Sequence, residues 1–395
     1  MNELRDRVLI IGGGPAGSTS AMNLIAEGMT PIIVESVGFP RFHIGESLTT
    51  ECVHALNRLG LEAALQTLRA PQKQGVRIFS KHPQNSFFVG AGDAWQVERA
   101  RFDQMLLETA VARGAQLIHG KVVALRREDG EWLADIALPD EPQQTIHAHF
   151  VIDASGQDRF SVRQGILGPI REGDYARQIA FFSQFEGVER QPNDHFDTLI
   201  HHRGDFEWVW MIPLSEQVTS IGLVLPVEAF KTRKQPAEQF LDTGLANFSV
   251  PVAERVGNAR RVGPVRTMSN YSYRIDEFAR DGLFCVGDSH AFIDPIFSFG
   301  VEFAVKEAEY VRRAIVACRD SDPREWPAHA VQYMRVTTDG QRVVEDMLAY
   351  FWKYPWGFAH MAHVRHKDEF LEIFAGRIYE IDPGEGLNKM RATLS

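Results

Sequence analysis

The apolar run Val8-Leu9-Ile10-Ile11, followed at once by Gly12-Gly13-Gly14-Pro15-Ala16-Gly17, constrains this chain more than any other segment. Four aliphatic residues without a polar break predict a strand buried on both faces, as in a parallel sheet. Small and apolar residues at helical spacing over residues 15–27 predict a helix, and Pro31–Glu35 (PIIVE) predicts the next buried strand. Glycines at 12, 14 and 17 give the spacing GxGxxG between strand and helix. Gly12 permits the tight turn, Gly14 lets backbone approach a pyrophosphate, and Gly17 lets the helix pack close to the sheet. Free N–H groups at the helix start, with Pro15 and Ala16 in its first turn, suit the pyrophosphate charge. Glu35, closing the second strand, stands where a carboxylate meets the ribose hydroxyls of a dinucleotide. The unit therefore opens a doubly wound α/β sheet.

Bulk properties remove several function classes. A chain of 395 residues is too long for one small core. Its net charge of −10 argues against a nucleic-acid surface, which needs a basic patch to displace counterions. Three cysteines, Cys52, Cys285 and Cys318, lie far apart, so no CxxC metal or redox pair exists; their sparseness fits a reducing, cytoplasmic setting. No metal site is expected. MNELRDRVLIIGGG runs straight into strand and turn, unlike a signal peptide. No apolar run approaches the roughly 20 residues needed to span a bilayer.

Along the chain, residues 47–60 and 101–113 have helical patterns, the first with Leu48, Val53, Leu56 and Leu59 on one side. Residues 116–151 and 177–224 are strand-rich and suggest a mixed sheet over the nucleotide. Leu283–Val286 is another short buried strand, residues 300–318 are helical, and the chain beyond Glu325 is helical and aromatic-rich. Without linkers or repeats, the expected domains interleave. Residues 1–175 and 270–325 form a nucleotide-binding domain, with 70–100 contributing to the substrate side; 176–269 form a mixed-sheet substrate domain; and 326–395 form a C-terminal helical region.

Three later segments narrow the nucleotide. Arg99 and Asp103 in VERARFDQMLLETA, Asp153-Ala154-Ser155-Gly156 after a strand, and Gly287-Asp288 after LFCV resemble the glutathione-reductase-type FAD fold. The resemblance implies that Arg99 contacts flavin and that Asp288 reaches the ribityl chain. No second GxGxxG follows a strand; Gly384-Glu385-Gly386 lies in a polar tail. The flavin is then reduced by a separate flavin reductase and arrives as FADH₂, or is reduced by transient NAD(P)H contact.

Trp208-Val209-Trp210-Met211-Ile212-Pro213 matches WxWxIP in all four fixed positions, and Phe292-Ile-Asp-Pro295-Ile-Phe-Ser298-Phe-Gly300-Val301 reads FxxPxxSxG. Both resemble the flavin-dependent halogenases. Two indoles at i, i+2 on a strand share a face, and each buries about 150–250 Å². In that family the wall keeps organic substrate from the flavin. The resemblance places Pro295, Gly300 and Val301 beside the flavin, adds Ser298 to the catalytic candidates with Trp208 and Trp210, and makes the backbone of Phe299 and Gly300 the halide candidate. The family usually carries Ser or Thr at position 299; the backbone donors survive that change, but a bulky Phe is expected to narrow the pocket and weaken halide binding. Lys73, before Gly75 and a strand, resembles the family's catalytic lysine; neighbouring Lys81 has no such context. Burial beside tryptophans lowers an amine's pKa and favours a haloamine.

Within the family the likeness is greatest to the group acting on phenols and pyrroles, often as carrier-protein thioesters. Arg41-Phe42-His43-Ile44-Gly45-Glu46-Ser47 is similar to its HxGES turn, which adds Arg41 and Ser47 to the cofactor contacts. Tryptophan halogenases place a glutamate where this chain has Phe297. The chain stops sooner than many relatives, so segments covering the substrate pocket are expected to be missing. Trp352, Tyr354, Trp356 and Phe358 either line that pocket or are ordinary core.

The resulting expectation is an FADH₂- and O₂-dependent halogenase. Chloride or bromide near Phe299 and Gly300 attacks a flavin hydroperoxide. The hypohalous acid passes Trp208 and Trp210 to Lys73, which delivers halogen to an aromatic ring. Two rivals stand beside it. One is a flavin monooxygenase or prenyl reductase of the same fold; the other is a non-catalytic module binding FAD or a carrier protein.

Overall fold

The computed structural model describes residues 5–80, 86–139, 141–173, 177–204, 206–231, 235–270, 272–382 and 384–394; Lys81 lies outside them. Strand Arg7–Ile11 pairs in parallel with Thr30–Glu35 on one side and Phe150–Asp153 on the other. Gln116–His119 and Leu283–Cys285 extend the sheet, and Ala279–Arg280 closes one edge, giving six strands among the described residues. Val8, Leu9 and Ile10 have no exposed surface, as strands covered on both faces require. Helices Pro15–Ile25 and Gly300–Asp320 pack together.

A second sheet carries the tryptophans. Its order runs Arg260–Arg261, Gln178–Glu186, Val218–Pro226, Glu207–Pro213, Thr198–Gly204, Gln72–Phe79, Ser86–Trp95, with Arg266–Asn270 also on Gln178–Glu186. Thr198–Gly204 and Gln72–Phe79 run parallel and the other pairs antiparallel, so the sheet is mixed. The period of two sorts its faces. Trp208, Trp210 and Ile212 join the main core. Val209 and Met211 point the other way, into a separate cluster with Phe240, Leu241, Leu245 and Val252 from helices Ala237–Ala246 and Val250–Val256.

The strand-rich stretch 116–151 divides differently from a single mixed sheet. Its two ends enter the parallel sheet, while Lys121–Glu128, Glu131–Leu138 and Glu141–Ala148 form their own antiparallel meander. The sheet over the site instead recruits the strands Gln72–Phe79 and Ser86–Trp95. The helix expected from residue 47 begins at Thr50, because Thr49 caps it by accepting the Cys52 N–H at 3.2 Å. Ser47 is extended and bridges Gln96. Beyond Glu325 the chain is helical, led by Trp326–Lys353. No helix among the described residues is long and apolar enough to cross a membrane.

The loop after the first strand is fixed by backbone contact. Gly12 has φ +103°, and a Cβ there would lie 2.5 Å from the Ala154 carbonyl oxygen. A Cβ on Gly17 would lie 1.9 Å from the Gly12 carbonyl oxygen. Neither neighbour is a flexible side chain. Gly17→Ala is expected to destabilise the fold by about 1–3 kcal/mol or more, since backbone must shift. Chemical denaturation checks this; unchanged stability would contradict the close packing.

Candidate active site

A cavity of about 650 Å³ lies between the carboxyl ends of the parallel strands and the tryptophan face of the mixed sheet. That volume falls within the ~300–1,000 Å³ of ligand and cofactor pockets. At one end, Gly12, Gly14, Pro15 and Ala16 line it. Gly14 precedes a helix with no side-chain cap, so its first N–H groups are free for an anion. Glu35 also lines the cavity. Its two oxygens accept the N–H groups of Gly13 at 2.7 Å and Val37 at 2.8 Å, which fixes the carboxylate at the strand end. Gly17 does not line the cavity; its place is the helix–strand contact.

The middle is organised by a buried ion pair. Arg99 is bidentate to Asp103 at 2.7 and 3.0 Å, with both side chains almost fully buried. The same guanidinium donates to the carbonyls of Ile44 at 2.8 Å and Gly45 at 3.3 Å. Arg41, on the cavity wall, approaches Asp103 at 3.7 Å. Arg99 therefore clamps turn 43–47 against the helix Arg99–Ala112. Ser47 bonds Thr198 through their hydroxyls at 3.2 Å, tying the turn to the mixed sheet. Burial, aided by Arg99, holds His43 down to about 4.

Asp288 borders the cavity from the opposite side. Burial raises its carboxyl to about 6, against the pull of Gln157 and Arg99. Its turn is held from behind by Glu307, whose carboxylate accepts Gly287 N–H at 2.7 Å and the Gln341 amide at 2.8 Å. The His290 ring lies 2.8 Å from the same carboxylate.

Trp208 and Trp210 form the far wall, 5.6 Å apart by ring centroids, with Phe182 beside Trp210. The Trp210 indole donates to Ser220 Oγ at 3.3 Å. Pro295, Ser298, Gly300 and Val301 complete the lining. Ser298 takes a left-handed φ of +62° between a 3₁₀ turn and the helix Gly300–Asp320. Nothing lies within 4 Å of where a Gly300 Cβ would sit. The Phe299 side chain is buried and stacks on Phe303, and it does not line the cavity.

Lys73 is also absent from the lining. It is 4% exposed on Gln72–Phe79, two strands from the tryptophans. Burial lowers its ammonium to about 8 against Asp197. Of the C-terminal aromatics, Phe358 is core, stacked on Phe297, while Trp356 and Tyr354 are exposed. Trp352 donates to Asp294 Oδ2 at 3.1 Å. Asp294 also accepts Gln178 at 3.2 Å and the Ile296 N–H at 3.1 Å, locking the Pro295 turn to helix and sheet. Asp294 and Glu46 emerge only with the structure, although both lie in segments whose motifs are legible.

The cavity has the features an FAD site needs: an uncapped helix start, a strand-end carboxylate, the partly buried acid Asp288 and an aromatic far wall. The comparisons agree. The family model for the FAD binding domain matches residues 5–322. The 1H-pyrrole-2-carbonyl-[peptidyl-carrier protein] brominase of Pseudoalteromonas luteoviolacea is 34% identical over 378 residues, covering 95% of this chain and 93% of that protein. The 1H-pyrrole-2-carbonyl-[peptidyl-carrier protein] chlorinase of Pseudomonas fluorescens is 27% identical over 427 residues, covering 98% and 93%. The structure of the flavin-dependent brominase Bmp2 superposes with a TM-score of 0.92 at 32% identity, covering 98% of this chain and 97% of that one. The chain belongs to the FAD-binding-domain family and, within it, to the flavin-dependent halogenases.

Removing Arg99 leaves Asp103 buried with only the distant Arg41. Arg99→Met is expected to cost about 3–5 kcal/mol, the usual effect of halving a buried pair. Urea denaturation checks this, and a loss below about 1 kcal/mol contradicts the clamp.

Proposed function

We propose that the protein uses reduced FAD and O₂ to oxidise chloride or bromide and to halogenate an electron-rich pyrrole or phenol, presented on a carrier protein or free. The bound flavin supplies the oxygen-activating chemistry. Gly12, Gly14, Pro15, Ala16, Glu35, Arg41, Ser47, Arg99, Asp288, Pro295, Gly300 and Val301 hold it, with Gly17 setting the loop. One observation carries the reading: two buried indoles close the cavity opposite the glycine loop. They favour entry of a small anion over an organic ring.

The halide sits at the backbone of Phe299 and Gly300, beside Ser298. Phe299 faces the core, so its bulk leaves the chamber open. Lys73 receives the oxidised halogen beyond the wall. Its lowered pKa favours the free amine that an N–halogen bond requires. With no glutamate at position 297, the ring proton passes to water, and an electron-rich pyrrole or phenol needs less help losing it. The carrier-borne pyrrole is supported by what the two named relatives act on. A separate reductase is the proposed source of FADH₂, since the chain has a single strand–GxGxxG–helix unit. A cytoplasmic setting is supported by three free, buried cysteines.

Incubating the protein with photoreduced FAD, O₂, halide and pyrroles or phenols, free and carrier-bound, tests the reading. A halogen isotope pattern in the product is expected. Hydroxylated product without halogen overturns it. Lys73→Ala is expected to lose about 10²-fold or more of halogenated product while retaining FAD; unchanged yield refutes the lysine's role.

A further inference from the structure

One ionisable group on the cavity wall has no place in the scheme above. Glu46 lies in the clamped turn and lines the same cavity as Trp208, Trp210, Ser298 and Gly300. It is 1% exposed, and its Oε2 is buried without a hydrogen-bond partner. Buried polar atoms are normally paired, because losing water without a substitute is costly. An unpaired carboxyl oxygen beside an anion chamber calls for an explanation.

The backbone leaves Glu46 little freedom to escape. Its carbonyl accepts the Val97 N–H at 2.7 Å. Before it, the Ile44 and Gly45 carbonyls are gripped by Arg99; after it, Ser47 bonds Thr198. Gly45 adopts φ +99°, and a Cβ there would lie 3.1 Å from Arg99 Nη1, so the turn is built around the guanidinium.

The surroundings do not neutralise the carboxyl. Arg99 faces it, but that cation is bidentate to Asp103. Glu98 adds like charge. The Ser220 hydroxyl, whose oxygen accepts the Trp210 indole N–H, still has its own proton to offer the carboxyl and pulls its pKa down, but one neutral donor does not offset full burial. Burial therefore prevails and pushes the acid up to about 7.

We propose that Glu46 is a proton-holding gate on halide entry: as the acid it leaves the chamber uncharged and offers an O–H to the anion, and as the carboxylate it repels it. This rests on the halide-oxidising reading and adds a specificity residue to it. With FAD bound, the same acid would be placed to supply the one proton that oxidising a halide to hypohalous acid consumes.

The test uses the full chain loaded with oxidised FAD. Bromide is titrated at constant ionic strength, and binding is read from the visible absorbance of the flavin at pH 6 and pH 8. A gate titrating near neutrality makes bromide about tenfold weaker at pH 8 than at pH 6. Glu46→Gln, which cannot ionise, is expected to lose most of the pH dependence, leaving at most the roughly twofold change that an acid at about 6 contributes between pH 6 and pH 8. His43 is neutral across the window, and Asp288 is retained in the variant, so a profile owed to Asp288 would survive the substitution. Should that variant lose FAD, Glu46→Asp keeps an acid, and its pH midpoint is expected to move. A flat profile in the parent, or an unchanged profile in either variant, overturns the gate. If bromide perturbs bound FAD at no pH in any variant or the parent, the halide-oxidising reading falls with it.

Discussion

The contact between the Gly17 backbone and the Gly12 carbonyl positions everything else in this molecule. It draws the start of helix Pro15–Ile25 against the ends of the parallel strands, where no side chain beyond hydrogen fits. The helix's uncapped N–H groups therefore open directly onto the cavity, and Glu35 arrives at the same edge from the next strand. The long helix Gly300–Asp320 then packs on that first helix, bringing the turn around Ser298 to the opposite end of the same chamber. Two helix starts without side-chain caps thus line one cavity.

The rest of the chamber is an exercise in managing charge away from water. Arg99 is affordable because Asp103 meets it in a fork and two carbonyls take both Nη1 donors. Asp294 likewise has three donors. Glu46 has only the Ser220 hydroxyl and an unpaired Oε2, and burial drives it toward the neutral acid. Glu46 and the paired Arg99 thus differ in how the same low-polarity surroundings handle charge.

Sequence reveals what is local or chemically rare. The strand–glycine–helix unit is legible because each glycine answers a backbone demand within a few residues. The tryptophan pair is legible because alternation along Glu207–Pro213 assigns both rings to one face. Long-range placement is hidden. Nothing near Phe299 shows its ring turning onto Phe303 and out of the chamber. Trp352 meets Asp294 across 58 residues, so its role as an anchor of the Pro295 turn escapes any local pattern. Glu46 sits in a recognisable turn, yet its burial and its unpaired Oε2 depend on how the mixed sheet closes over that turn. The strands at 121–148 alternate well enough to suit any sheet, and only pairing shows that they keep to themselves.

The account stands or falls on where the anion binds relative to the indoles. A crystal of the FAD complex soaked in bromide, read by anomalous scattering, locates it directly. The anomalous peak is expected inside the cavity at the Phe299–Gly300 backbone, on the flavin side of Trp208 and Trp210. A peak on the other side of those rings, or an aromatic substrate in direct contact with the isoalloxazine, would contradict it.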